Sequence, residues 1–264
     1  MNANFIHFDT KIGTKKPRTM LDSENDQCPF CDVEHLTNII DTDDDIIFLK
    51  NKYIVVENSD QFVLIEGSEC HSDMPYYSKS KMHKLIAFGL KHWKNLLDCG
   101  KYEDVLFFKN YGPMSGGTIL HPHMQLVGFP KLNRELLFDP AELHGEIIHE
   151  SDGVEMNISN YPRVGFGEIN IIPPDVNHFD EKSRNTFADF IQIAVDYLMN
   201  HFRRHLSSYN IFFYHRKNSA GIDQIYVKLI PRFATSPYFV GYNIHFIPNN
   251  LETVVDEVRK LYFS

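Results

Sequence analysis

The sequence offers little that suits a membrane or a secretory route. No apolar run approaches the ~20 residues that cross a bilayer. Residues 1–8 lack a basic start followed by an apolar stretch. Cysteine is scarce: Cys28, Cys31, Cys70 and Cys99 are the whole set. Two of them form a C-x-x-C pair and Cys99 stands alone in a helical pattern, which is not a secreted disulfide framework. The expectation is a cytoplasmic protein. Positive charge is short as well: 26 Lys and Arg against 35 Asp and Glu leave a net charge of −9. A general nucleic-acid binder would show a basic patch or stripe, so that class is excluded. A small anionic substrate is not, because it needs only a local positive pocket.

What is present fits an ordinary globular chain. Its 264 residues, 43% of them apolar, make one large domain or two small fused ones, and either buries a core. The 21 Phe and 13 Tyr favour a sheet-rich fold, since aromatics suit pleated surfaces. Residues 1–27 read as a polar N-terminal arm leading into Cys28-Pro29-Phe30-Cys31. After that the chain repeats an order of elements. Strand-like runs at 46–49, 53–57 and 62–66 precede a helix capped by Ser78, with Met82, Leu85, Ile86, Leu90, Trp93 and Leu97 on one face. A strand at 104–110, a glycine-rich loop at 112–118 and a strand at 121–127 follow. The second pass has strands at 154–158, 163–166 and 168–172. A helix capped by Asp180 comes next, then strands at 209–214 and 224–230. A last helix, 251–262, has Asn250 as its cap. The fold class expected is α+β: tandem duplicated units of antiparallel sheet with helices packed on them, divided as 28–135 and 136–264.

The strongest chemical signal is His121-Pro122-His123-Met124-Gln125. Side chains on a strand alternate faces, so His121, His123 and Gln125 project on one side. A solvated strand face with incidental histidines is the plain alternative. Against it stands the loop just upstream, Asn110-Tyr111-Gly112-Pro113-Met114-Ser115-Gly116-Gly117-Thr118, whose glycines let backbone N–H groups approach a phosphate. Cys28 and Cys31 have zinc-knuckle spacing. His71 and His121 would complete a Cys₂His₂ set, and Cys70 rivals His71.

These motifs together resemble galactose-1-phosphate uridylyltransferase, in the nucleotidylyltransferase branch of the histidine-triad superfamily. The run Leu229-Ile230-Pro231-Arg232-Phe233-Ala234-Thr235-Ser236, continuing to Phe239-Val240-Gly241-Tyr242, resembles the same family, so the likeness spans about Cys28 to Tyr242. It implies a tandem of two histidine-triad-like units, with Cys28, Cys31, His71 and His121 holding one structural zinc per chain. It implies His123 as nucleophile, Gln125 as the residue that holds the transferred group, and Asn110 with Ser115, Gly116 and Gly117 as the phosphate cradle. The implied reaction passes a nucleoside monophosphate from a nucleoside diphosphate sugar to a sugar 1-phosphate through a covalent nucleotidyl-histidine. Related enzymes pair, which extends the expectation to a homodimer. The second nitrogen of His123 would be held by the Pro122 carbonyl.

The sequence also departs from the family. Tyr226 and Lys228 stand where a second metal site would need histidines, so no second metal is expected, although His215 matches one former ligand. The arginine-bearing N-terminal stretch is missing, with Lys15, Lys16 and Arg18 as substitutes; a solvated charge cluster is the alternative. Rival functions are a phosphorylase or hydrolase of nucleoside diphosphate sugars or dinucleoside polyphosphates, and an inactive nucleotide-binding protein. His144, His149, His178, His201 and His205 read as surface residues, Trp93 as core, and Asp41 to Asp45 as a solvated turn.

Overall fold

The computed structural model describes residues 4–17, 19, 28–202 and 206–264. Arg18 and His205 lie outside the described residues. In chain order the elements are α1 (Thr10–Gly13), β1 (Ile39–Asp43), β2 (Ile46–Lys50), β3 (Asp60–Ile65), α2 (Lys79–Asp98), β4 (Asp104–Tyr111), β5 (His123–Phe129), β6 (Gly145–Ser151), β7 (Val154–Ser159), β8 (Ile169–Ile172), α3 (Glu181–Asp196), β9 (Tyr209–Lys217), β10 (Asp223–Pro231), α4 (Pro237–Tyr242) and α5 (Leu251–Tyr262). The fold is α+β. No helix among the described residues is long and apolar enough to cross a membrane.

The ten strands found among the described residues join one antiparallel sheet, in the order β1-β2-β3-β5-β4-β9-β10-β8-β7-β6. Reading outward from the β4–β9 seam, each strand of the first half is matched by the strand five later in the second half. At the seam Phe107 pairs with Phe213, and their rings stack at 4.2 Å.

One face of the sheet carries the helices. Alternation sends Val105 and Phe107 of β4, and Met124 and Leu126 of β5, into a core shared with α2, α3 and α5. The helix starts follow from their caps. Ser78 accepts from the Lys81 amide at 3.2 Å, and Asp180 from the Ser183 amide at 2.9 Å. Trp93 is buried as expected, and its ring N–H donates to the Val105 carbonyl at 2.7 Å. α5 spans the residues expected of it, but Asn250 makes no side-chain cap bond. Arg259 ties it instead to the carbonyls of Ile147 and Ile148, each at 2.9 Å.

Two expected strands are loops. Residues 53–57 make only an isolated bridge, Val56 with Phe8, because the N-terminal segment takes up Val55 and Glu57. Residues 163–166 wrap a carboxylate: the amides of Arg163, Val164 and Gly165 all donate to Glu168. Conversely, β1 and β6 are strands that hydrophobic alternation did not reveal. They are the two edges of the sheet, where charged side chains are normal. The acidic run 41–45 is thus partly β1. Asp41 meets Lys91 at 2.8 Å and His92 at 3.0 Å, fastening that edge to α2. Among the other histidines, His144, His178 and His201 are exposed, while His149 is half-buried and stacks on Phe263 at 4.0 Å.

A buried charge cluster ties β4 and β9 to the segment that follows β3. Lys109 pairs with Glu66 and lies 3.3 Å from Asp73, all three within 2% exposure. Tyr77 donates to Glu66 at 3.1 Å and Tyr209 to Asp73 at 2.7 Å. Burial pushes both carboxyls above their ordinary range despite the lysine beside them.

On the surface, Asp60 of β3 collects Lys101, Lys50 at 2.8 Å and Tyr102 at 2.7 Å. Hydrogen bonds from Lys101 and Lys50 outweigh partial burial and hold its carboxyl well below the usual range. A depressed folded pKa contributes stability that is present above the unfolded carboxylate pKa of ~4 and is lost as pH falls below it. Both lysine heads are well exposed, so screening limits the effect. Asp60→Asn should cost on the order of 1 kcal/mol at pH 7, and the gap to the native chain should narrow below about pH 4. Urea unfolding at pH 7 and pH 3 reads both.

Candidate functional site

The sheet face opposite the helices carries the site. His123 and Gln125 point there while Met124 and Leu126 fill the core behind them. A cavity of about 380 Å³ lies over them, lined also by Lys16, Phe30, Asn110, Gly116 and Gly117.

Its back wall is fixed by His121. The imidazole Nε2–H donates to the Gly67 carbonyl at 2.8 Å, so Nδ1 presents its lone pair to the cysteines. Nδ1 lies 3.6 Å from Cys28 Sγ and 3.5 Å from Cys31 Sγ. The donor atoms of Cys28, Cys31, Cys70 and His121 all fall within 4.8 Å of one another. His71 does not join them; its side chain is exposed, and Cys70 takes the fourth corner. The two residues sit in a turn that directs the Cys70 thiol inward and leaves the His71 ring exposed.

Three thiols and one imidazole converging on a point make a donor set that can hold a metal ion such as zinc. Their acidities show the strain of sharing the space. Burial raises Cys28, but the contact with His121 and hydrogen bonds from the Phe30 and Cys31 amides outweigh it and bring the thiol to about 6. Burial and the neighbouring sulfurs push Cys70 up to about 12. A divalent cation would satisfy all three as thiolates.

His123 is 7% exposed. Its Nδ1–H donates at 2.7 Å to the carbonyl of His121, not of Pro122. Pro122 is engaged elsewhere, accepting from the Glu66 amide at 3.1 Å. With Nδ1 protonated, Nε2 keeps a lone pair. Burial, helped by the charges of Lys109, His121 and Lys16, lowers the pKa of His123 to about 4 against that bond. The ring is neutral at pH 7. Phe30 packs edge-on against it with centroids 5.3 Å apart.

The glycine loop is anchored from the second half of the chain. Gly112 has φ +82°, and a Cβ there would sit 1.9 Å from the Ser207 carbonyl oxygen. Gly116, at φ +87°, faces open space. Ser115 is buried: its hydroxyl donates to the Gly112 carbonyl at 2.7 Å and accepts from the Gly117 amide at 3.2 Å. It shapes the loop from within and does not line the cavity, whereas Gly116 and Gly117 do. Asn210 of β9 donates to Asn110 Oδ1 at 2.6 Å and to the Ser115 carbonyl at 3.0 Å. Arg232 in turn donates to Asn210 Oδ1 at 2.9 Å. Asn110 therefore reaches the cavity with its oxygen already bonded.

The counterpart position in the second half is filled. Register places Tyr226 opposite Tyr214 and Lys228 opposite Phe212. Phe138 and Leu143 pack with Tyr214, Phe212 and Tyr226. Lys228, 1% exposed, reaches Glu168 at 3.2 Å, Asn170 at 3.1 Å and the Glu142 carbonyl at 2.9 Å. His215 lies on the other face, against Trp93.

Two adjoining family profiles cover almost the whole chain. They are the N-terminal domain of the domain of unknown function DUF4931 over residues 8–132 and its C-terminal domain over 135–263. This chain belongs to the DUF4931 family. A DUF4931 family protein from Bacillus cereus shares 34% identity and superposes with a TM-score of 0.74, covering 86% of this chain and all of that one. At lower identity the fold is shared with two enzymes. One is an ADP-glucose phosphorylase from Arabidopsis thaliana, solved with bound ADP-glucose: 14% identity, TM-score 0.71, 92% of this chain and 94% of that one. The other is a uridylyltransferase: 12% identity, TM-score 0.70, 89% of this chain and 91% of that one. The resemblance first carried by the motifs is thus met in the fold. No curated protein matches this DUF4931 chain by sequence.

Of the site residues, Lys16 was named among the sequence candidates, and Phe30 was visible only as part of the knuckle. Asn210 and Arg232 carried no signal of their own, since both act across the seam. If Cys70 rather than His71 is the fourth ligand, elemental analysis should find the metal retained in His71→Ala and lost in Cys70→Ser. The second variant should also melt several degrees lower.

Proposed function

We propose that this chain is a nucleotidylyltransferase. It would move a nucleoside monophosphate between a nucleoside diphosphate sugar and a sugar 1-phosphate. The observation that carries this reading is His123. Its ring is neutral, held through Nδ1 at 2.7 Å, and turned with Nε2 toward a cavity bordered by Gly116 and Gly117. An anionic phosphorus centre repels anionic nucleophiles, and a neutral imidazole avoids that repulsion. Nε2 attacks the α-phosphorus, forming an N–P bond. The bond from that phosphorus to the bridging oxygen breaks, and its electron pair leaves on the sugar 1-phosphate. A second phosphate acceptor then displaces His123 in the reverse sense.

The chain's own groups supply positioning and charge. The Gly116 amide, at the cavity side of the loop, would donate to the phosphate oxygens. Gln125 lies two residues along the same strand and has no hydrogen-bond partner among the described residues, so its amide is available to the transferred group. Lys16 is half-buried at the cavity, where desolvation lowers its pKa, and has no acidic partner among the described residues. It places positive charge where the donor's phosphates would lie. Zinc on Cys28, Cys31, Cys70 and His121 would be structural, because four protein ligands leave no position for substrate. It would brace the His121 carbonyl that orients His123. We assign residues 28–135 to the catalytic unit and 136–264 to a degenerate second unit.

The second reading is a phosphorylase, in which inorganic phosphate is the acceptor. The fold shared with the ADP-glucose phosphorylase favours it. The same intermediate serves both.

Intact mass of the native chain after incubation with nucleoside diphosphate sugars should rise by one nucleoside monophosphate, and His123→Ala should gain none. Chasing the adduct with glucose 1-phosphate or with inorganic phosphate separates the two readings. Gln125→Ala should slow turnover by about 10²–10³-fold if its amide supports the transition state. Tight nucleotide binding without an adduct from any donor would leave a binding protein and sink the transferase reading.

A further inference from the structure

Upstream of Met124 the strand that bears His123 loses half its support. The rungs between β4 and β5 run from Asp104 to Lys109, which faces Met124, and among the described residues they end there. Asn110 and Tyr111 go on to pair with β9. Pro122 has no amide proton to donate. On the other flank the ladder continues: Ile65 faces His123, and the Glu66 amide donates to the Pro122 carbonyl at 3.1 Å. The backbone whose His121 carbonyl orients the His123 ring is thus held through β3 on one side and by no rung of β4 on the other.

Two side chains cross behind it. Lys109 stands at the last rung and shares the helix face with Val105 and Phe107. Glu66 follows the end of β3 on the same face as Phe62 and Leu64. β5 lies between β3 and β4, so the ion pair of Lys109 with Glu66 passes behind β5, on the face opposite the His123 ring. Both side chains are fully buried. Asp73, 3.3 Å from the Lys109 ammonium, and Tyr77, which donates to Glu66 at 3.1 Å, fix the two ends. A pair sealed from water adds little net stability, so stability alone is a poor account of it.

We infer that Lys109 is a positioning residue: through Glu66 it straps β5 from behind and holds the 121–123 backbone in the arrangement that keeps the Nδ1–H of His123 on the His121 carbonyl and leaves Nε2 open to the cavity. Lys109 itself lies behind the strand and outside the cavity. The consequence for rate rests on the transferase reading; the effect on the ring does not.

Nitrogen-15 spectra of the imidazoles, recorded at neutral pH on the full histidine-labelled chain purified with zinc, test the strap without substrate. His123 is assigned by difference from His123→Ala. The native ring should show a single Nδ1–H tautomer. Lys109→Met/Glu66→Leu and the milder Lys109→Met/Glu66→Gln remove the bridge without leaving a charge at either position, and both should show mixed tautomers at His123 in chains that still melt cooperatively. Glu66→Gln alone keeps an acceptor for Lys109 and should keep the native spectrum. So should Leu126→Ala, which opens the core under the same strand and leaves the strap intact. With UDP-glucose and ADP-glucose as donors, the bridge variants should form the nucleotidyl adduct about 10²-fold more slowly, with donor affinity within about twofold of native. A native tautomer in a folded bridge variant would overturn the inference, as would mixed tautomers in Leu126→Ala. A native chain that neither donor labels counts against the transferase reading, while the spectra still decide the strap.

Discussion

The pairing of β4 with β9 is the constraint on which the molecule turns. It places the two halves of the chain in one sheet, with Phe107 stacked on Phe213 and Asn110 beside Asn210. The stack secures the core on the helix side. The asparagine pair lies at the end of the seam, where the glycine loop leaves β4. A loop rich in glycine has little conformational preference of its own, and its shape must be imposed. Here the second half imposes it, through Asn210, through Ser208, and through the close approach of Ser207 to Gly112. The second half thus shapes the loop that the first half carries.

His121 performs the corresponding task for the ring of His123. One residue makes connections in three directions: Nδ1 to the sulfur cluster, Nε2 to Gly67, and its carbonyl to His123. Ring orientation and tautomer at His123 follow from the position of that carbonyl. The knuckle contributes a further restraint, since Phe30 packs edge-on against both rings. The metal-type cluster and the candidate nucleophile are therefore one mechanical unit, although no sulfur enters the cavity.

Both halves also bury a lysine. Lys109 lies with Glu66 and Asp73, and Lys228 with Glu168 and Asn170. Pairs sealed from water are weak evidence for stability, because desolvation consumes most of the attraction. Their geometry is more informative. Lys109 sits on the helix face, behind the strand that bears His123, whereas Lys228 occupies the face on which Gln125 stands in the first half. A lysine with a carboxylate, an amide and a carbonyl around it therefore occupies the place that Gln125 takes in the first half.

Much of this was decided by local sequence. Ser78 and Asp180 fix two helix starts because a cap is a bond within one turn. Strict alternation marked most of the interior strands, and His121, His123 and Gln125 declared themselves by spacing along one strand. Edge strands did not, because β1 and β6 carry charge where an interior strand would carry apolar side chains. Residues 163–166 were misjudged for a related reason: their amides satisfy a carboxylate that local patterning does not pair with them. The choice of Cys70 over His71 turns on which side chain faces Cys28, and adjacent residues look alike until the chain is folded. The His121 carbonyl, Asn210 and Arg232 act through contacts between segments distant in the sequence. Local sequence marked Cys28, Cys31 and His121, the candidate nucleophile and two helix caps, since these depend on residue type and short spacing. Only tertiary structure decided which of them meet, since that depends on how two halves of one sheet come together.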